Sequence, residues 1–155
     1  MGHYVRMTRL ANVERRGAEC IVSSYTQTPP GFWKMNGHFA RVLTDADVED
    51  LGRALLDALG ASNRITLREV DGSDDSFAPV LAALGLKTYA QYMRAATSVS
   101  VDIGDDGILR ITPMRNGGVR EGFVEMTAEV RVLVEPSAES LGSAVERAMD
   151  LASRQ

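Results

Sequence analysis

The sequence predicts an α+β fold: a mainly antiparallel sheet packed by two principal amphipathic helices, within a single domain over residues 1–155. Three observations lead there. Segments 45–59 and 138–152 repeat apolar residues at helical spacing. Short β-rich runs, several strictly alternating, fill much of the remainder. Clusters of Gly, Pro, Asn and Asp punctuate those runs.

The elements follow in order. Glu19 to Tyr25 (ECIVSSY) is a β-rich run that stops at Thr28-Pro29-Pro30-Gly31, where two prolines fix φ. Gly37 to Leu43 (GHFARVL) alternates, with Phe39, Arg41 and Leu43 on one face and His38, Ala40 and Val42 on the other. Thr44 is the expected N-cap of the first helix, and Asp45 and Asp47 suit the positive end of its dipole. Val48, Leu51, Leu55, Ala58 and Leu59 form the apolar stripe, and Gly60 is the expected stop. Arg64 to Val70 reads as a short strand, followed by the polar turn Asp71-Gly72-Ser73-Asp74-Asp75. Phe77 to Leu84 reads as a helix that holds Pro79 in its first turn and closes at Gly85. Thr88 to Arg94 reads as another short helix.

A hairpin follows. Ser98 to Ile103 alternates, Asp105-Asp106-Gly107 supplies a turn glycine, and Ile108 to Thr112 returns to an end at Pro113. Asn116-Gly117-Gly118 is a second turn, and Ala128 to Val134 aligns Val130, Val132 and Val134 as a further strand. Ser137 caps the last helix, whose stripe is Leu141, Ala144, Val145, Ala148, Met149 and Ala152. Both long helices carry a Leu-Gly step, Leu51-Gly52 and Leu141-Gly142. Glycine inside a helix costs about 1 kcal/mol against alanine, so a close neighbour, sheet backbone for instance, is expected at each.

The bulk properties exclude several classes. The 155 residues are 45% apolar and 25% charged, ordinary for a chain with a real core. A chain of this size buries roughly 70% of its unfolded surface without a metal or disulfide staple. The single cysteine, Cys20, forbids an intrachain disulfide. No apolar run approaches the roughly 20 residues of a membrane span, and the N-terminus has no apolar signal core, so the cytoplasm is the expected compartment. A net charge of −4 disfavours nucleic acid as a direct ligand and suits a basic protein partner.

Catalytic and metal chemistry find little support. Cys20 sits in the apolar run Cys20-Ile21-Val22 and reads as a core residue, although a Cys20–His38 pair is conceivable. His3 lies near the terminus. No CxxC or HxxxH spacing exists, and no cofactor is expected. Asp71, Asp74 and Asp75 lack the later glutamate that a calcium loop requires. No phosphate-binding glycine loop or nucleophile elbow is present. Phe32, Trp33, Tyr89 and Tyr92 are candidate interface anchors, with core packing as the competing reading.

From Leu84 onward the chain resembles the CdiI-type immunity proteins of contact-dependent growth inhibition (CDI). The matching stretches are Gly85-Leu86-Lys87-Thr88, Ser98-Val99-Ser100-Val101, Gly107 through Pro113, and Ser137 through Val145. Leu51 through Leu59 fits as well, so the resemblance covers about two-thirds of the chain in the correct order. It implies a cytoplasmic, non-enzymatic antitoxin that binds and neutralises the C-terminal toxin domain of a cognate CdiA protein. Such toxins are commonly nucleases, often acting on tRNA. An acidic docking surface would suit a basic nuclease, and the candidates are Asp45, Asp47, Glu49, Asp50, Asp71, Asp74, Asp75, Asp102, Asp105 and Asp106. The alternatives are a small enzyme built around Cys20 and His38, and a ligand or nucleic-acid sensor using Phe32 and Trp33.

Overall fold

The computed structural model describes residues 5–62 and 77–154. Its strands form one antiparallel sheet in the order β3-β2-β1-β4-β5-β6, with β7 also paired to β5. The strands are β1 (Met7–Arg16), β2 (Glu19–Gln27), β3 (Trp33–Leu43), β4 (Ala96–Gly104), β5 (Leu109–Asn116), β6 (Phe123–Glu125) and β7 (Arg131–Leu133). The helices are α1 (Val48–Ala61), α2 (Ala78–Leu84), α3 (Tyr89–Met93), α4 (Gly118–Glu121) and α5 (Ala138–Ser153). The α+β expectation therefore holds, with the two long helices where the periodicity put them. The expected strand at 64–70 and His3 lie outside the described residues.

Alternation decides which face each strand offers to which layer. Ala11 and Val13 of β1, Cys20 and Val22 of β2, Val99 and Val101 of β4, and Leu109 and Ile111 of β5 face the two long helices. Leu51, Leu55, Leu141 and Val145 close that core from above. Ile21, Met35, Val80 and Tyr92 make a second cluster on the opposite face, where α2 and α3 lie. Both faces of the β1–β3 region are thus covered, which explains why Cys20 to Ser24 of β2 are buried in succession rather than alternately.

The two Leu-Gly steps meet each other rather than the sheet. A Cβ on Gly52 would collide with the Ala138 carbonyl, and a Cβ on Gly142 with the Val48 carbonyl. Each helix therefore crosses the other at its own glycine. The sheet-backbone expectation is corrected: the close neighbour is the other helix.

Four boundaries differ from the sequence expectation, each for a physical reason. The N-cap of α1 is Asp47; Thr44 instead donates its hydroxyl to the Ala18 carbonyl at 3.1 Å, so Asp45 and Asp47 precede the helix. Gly60 does not stop α1, which runs on to Ala61. The end is held from outside: Arg9 of β1 donates to the Leu59, Gly60 and Ser62 carbonyls at 2.9, 3.2 and 3.3 Å. A guanidinium there satisfies orphan carbonyls at the negative end of the helix dipole. Ser62 adds a buried tie, donating to the Tyr25 carbonyl at 2.6 Å and accepting from the Leu10 amide at 3.0 Å.

Pro113 does not end β5 but lies within it, opposite Val99. Its carbonyl accepts from the Met126 amide, so its missing N–H also faces the outer edge. There β6 and β7 are separated by a 3-10 turn at Thr127–Glu129, and no ladder bond is lost. That turn also takes Ala128 and Glu129 out of the expected Ala128–Val134 strand, leaving only Arg131–Leu133.

Candidate functional site

The acidic candidates fall into separate places. Asp45, Asp47, Glu49 and Asp50 are all exposed, around the start of α1. That point follows β3, whose last residue, Leu43, pairs with Glu19 beside the β1–β2 turn. Asp102, Asp105 and Asp106 lie at the β4–β5 turn, where Gly104 pairs with Met7. The pairing of Arg16 with Ala96 puts the β1–β2 turn at the far end of β4. Nine residues of strand separate the two groups, about 30 Å. Asp71, Asp74 and Asp75 lie outside the described residues.

The groups also differ in available charge. At the hairpin end Arg110 pairs with Asp106 at 2.7 Å and holds its carboxyl below the usual range. Burial pushes Asp102 up to about 6 despite the nearby Arg110. At the helix end Arg53 pairs with Glu49 at 2.7 Å and Asp50 at 3.8 Å. Asp45 and Asp47 at the helix end, and Asp105 at the hairpin end, are exposed and make no ion pair among the described residues, so these three carry the freer charge.

The catalytic alternative is not assembled. Cys20 pairs with Val42, four residues along β3 from His38, a separation of about 13 Å at strand rise. His38 is exposed, whereas Cys20 is buried and its thiol is pushed up to about 11, chiefly by desolvation. A thiol in that state is a poor nucleophile. The cavity beside Cys20, lined also by Val42, Asp47, Leu51 and Met149, holds about 50 Å³, well below a metabolite pocket. Among the described residues no group of three or more His, Cys, Asp or Glu is placed to hold a metal. No described helix is long and apolar enough to cross a membrane. Of the aromatic candidates, Phe32 is 73% exposed, Trp33 is half-buried and Tyr92 is fully buried.

Two features escaped the sequence reading. The first is Glu14, 3% exposed in the middle of β1. Its carboxyl accepts from the Tyr92 hydroxyl at 2.9 Å and the Ser98 hydroxyl at 2.8 Å. Burial pushes it up to about 7, against the lowering effect of those two bonds. Arg16 lies over the Tyr92 ring, 5.1 Å from its centroid, and donates to the Tyr92 carbonyl. Phe77 packs edge-on to the Tyr89 and Tyr92 rings at 5.0 and 4.6 Å. This arrangement fastens α3 to the sheet. A glutamate in an alternating strand gives no sign in sequence of which face will be buried.

The second is the open side of β7. Val130, Val132 and Val134 are 37%, 59% and 71% exposed. Two hollows between β7 and α5, of about 450 and 500 Å³, share Arg131 and Arg147 as lining residues. The valine alternation was legible, but its exposure was not, because apolar alternation ordinarily marks a core face.

Comparison with known proteins agrees with this geometry. A Neisseria meningitidis protein of unknown function has a similar structure, with a TM-score of 0.75 at 20% identity over 97% of this chain and 99% of that one. A chain of the CdiA-CT/CdiI toxin and immunity complex from Yersinia pseudotuberculosis gives 0.73 at 16% identity, over 95% of this chain and 98% of its own. At those identities the likeness shows a shared fold. No relative among curated proteins matches the chain. The CdiI profile, described as the CDI immunity protein, matches residues 9–152, nearly the whole sheet together with both long helices, and on that match the chain belongs to the CdiI family of CDI immunity proteins.

Proposed function

We propose that this chain binds the C-terminal toxin domain of a cognate CdiA protein and neutralises it in the cytoplasm, without chemistry of its own. The carrying observation is the family match over residues 9–152, on a fold shared with a chain of a toxin–immunity complex. The dispersed Cys20 and His38, and the small cavity beside Cys20, support a binding role over an enzymatic one. The toxin is a nuclease on this reading, and an inhibitor of one needs only to cover the active site and stay bound.

Asp45 and Asp47 are the acidic residues best placed to attract a basic domain, since Arg53 partly offsets Glu49 and Asp50. At the hairpin end Asp105 stands alone, because Asp102 is half-buried and Asp106 is ion-paired. Charge of this kind acts mainly on the rate of encounter. Growth of cells expressing the toxin domain tests the proposal: co-expression of this chain restores growth, and continued arrest with the folded chain present refutes it.

A further inference from the structure

We propose that the layer formed by α2 and α3 is a flap latched to the sheet by Glu14, and that it lifts as the Glu14 carboxyl loses its proton. The flap covers residues 78–94, and the sheet with α1 and α5 stays folded while it opens.

The layer is separable from the rest of the fold. Its helices have seven and five residues, too short to persist in water without tertiary support. Val80 and Tyr92 pack with Ile21 and Met35 in a cluster of their own, and the main core under α1 and α5 takes no residue from α2 or α3. The polar ties to the sheet are side-chain bonds. Arg16 donates to the Tyr92 carbonyl at 2.9 Å, Asn116 to the Met93 carbonyl at 2.8 Å and Arg41 to the Ala83 carbonyl at 3.0 Å. The Tyr92 hydroxyl donates to Glu14 at 2.9 Å. A unit with its own small cluster and few ties opens at a lower cost than global unfolding.

Glu14 is the tie whose strength depends on pH. Its carboxyl is buried, accepts only from the Tyr92 and Ser98 hydroxyls among the described residues, and pairs with no cation. Arg16, on its own strand, is taken by the Tyr92 carbonyl and ring. Arg41 of β3 lies in the same cross-strand row, through Ile21, and pairs with Glu19. The remaining titratable neighbours are Tyr25 of β2 and Tyr89 and Tyr92 of α3, which Glu14 pushes up; α2 brings no charged residue. Protonated, Glu14 is neutral and the layer stays shut. Ionised, it is a buried charge that opening returns to water. Burial holds its carboxyl up at about 7, so the cost of opening falls as pH rises from the ordinary carboxylate range toward 7. On the same face Asn12 Oδ1 and Ser23 Oγ are buried without a hydrogen-bond partner, and water admitted there is favourable. Opening withdraws Val80 and Tyr92 from Ile21 and Met35, which makes an apolar patch of the sheet available above neutral pH.

Native-state hydrogen exchange of the full chain at about pH 5 and about pH 8 tests this, with wild type and E14Q compared as protection factors, which remove the intrinsic pH dependence of exchange. The flap is read at the Leu81, Leu86, Tyr92 and Arg94 amides, each bonded within the layer. The Val145 and Ala148 amides of α5 report global unfolding. In wild type the flap amides should be less protected than those of α5 at both pH values. Their protection should fall about 70-fold between the two, the ratio for a carboxyl that ionises near 4.5 when open and at about 7 when closed. In E14Q it should stay constant within about twofold. Flap protection equal to that of α5 means that the layer opens only with the whole protein, and overturns the proposal. Wild-type flap protection that does not fall with pH overturns it too, as does a fall that survives in E14Q.

Discussion

Replacing Glu14 with glutamine should stabilise this protein, and only above mildly acidic pH. Glu14 is 3% exposed, and its sole polar partners among the described residues are the Tyr92 and Ser98 hydroxyls. Burial raises its pKa from 4.5 to about 7. Below about 4.5 the carboxyl is protonated in both folded and unfolded chains and costs nothing. Above about 7 it is ionised in both, and the fold carries the whole desolvation penalty. The displacement corresponds to about 3 kcal/mol, lost progressively as pH rises between those values. Glutamine is nearly isosteric and neutral; its carbonyl can accept from Tyr92 while its amide donates to the Ser98 oxygen. Urea denaturation of both proteins at about pH 4.5 and about pH 8 measures the difference. E14Q should be more stable by about 3 kcal/mol at the higher pH and equal within about 1 kcal/mol at the lower. Asp102 titrates in the same window, at about 6, but is common to both proteins and cancels. A difference independent of pH, or a less stable E14Q at pH 8, refutes the reasoning.

Further expectations concern the scaffold. Gly52→Ala should destabilise by about 2 kcal/mol, because overpacking of about 3 kcal/mol against the Ala138 carbonyl exceeds the roughly 1 kcal/mol gained in helix propensity; a melting temperature that rises would contradict the helix crossing. Ser62→Ala removes two bonds and leaves the buried Leu10 amide unpartnered, so a loss of about 2 kcal/mol is expected by denaturant titration. Cys20, with its thiol near 11, should react with a thiol reagent about 100-fold more slowly in the native protein than in urea; equal rates would show an accessible, reactive thiol. D45K/D47K should slow toxin association about tenfold at low salt with little effect on dissociation, which stopped-flow fluorescence resolves.

The parts of the fold that could be read from sequence are those with a local period. The stripes Leu51-Leu55-Leu59 and Leu141-Val145-Met149, and the Gly107 hairpin, carry their own geometry, and the structure places them as expected. Strand β1 was obscure because its second face holds Asn12, Glu14 and Arg16, which look like solvent-facing residues until Tyr92 covers Glu14. The end of α1 was misplaced because its cap comes from Arg9, about fifty residues away, and no local window contains that bond. Pro113 misled for a related reason: whether a proline breaks a strand depends on which edge its nitrogen faces, a property of β6 and β7 rather than of the hairpin. The Leu-Gly steps signalled a close approach but not its partner. Acidic residues were easy to list, yet only pairing shows that Asp106 is compensated and Asp45 is not. The hollows between β7 and α5 had no sequence signal, since they depend on how the short strand packs beside the last helix.

Inactivation of a CdiA toxin domain by binding is the function proposed for this chain. Its most direct test is a titration of the purified toxin domain with the full chain, reading complex formation and toxin activity in the same samples. A one-to-one complex with a dissociation constant in the nanomolar range or tighter is expected, with toxin activity falling to zero at equivalence. Undiminished activity in the presence of excess folded chain, with no complex detected, would contradict it.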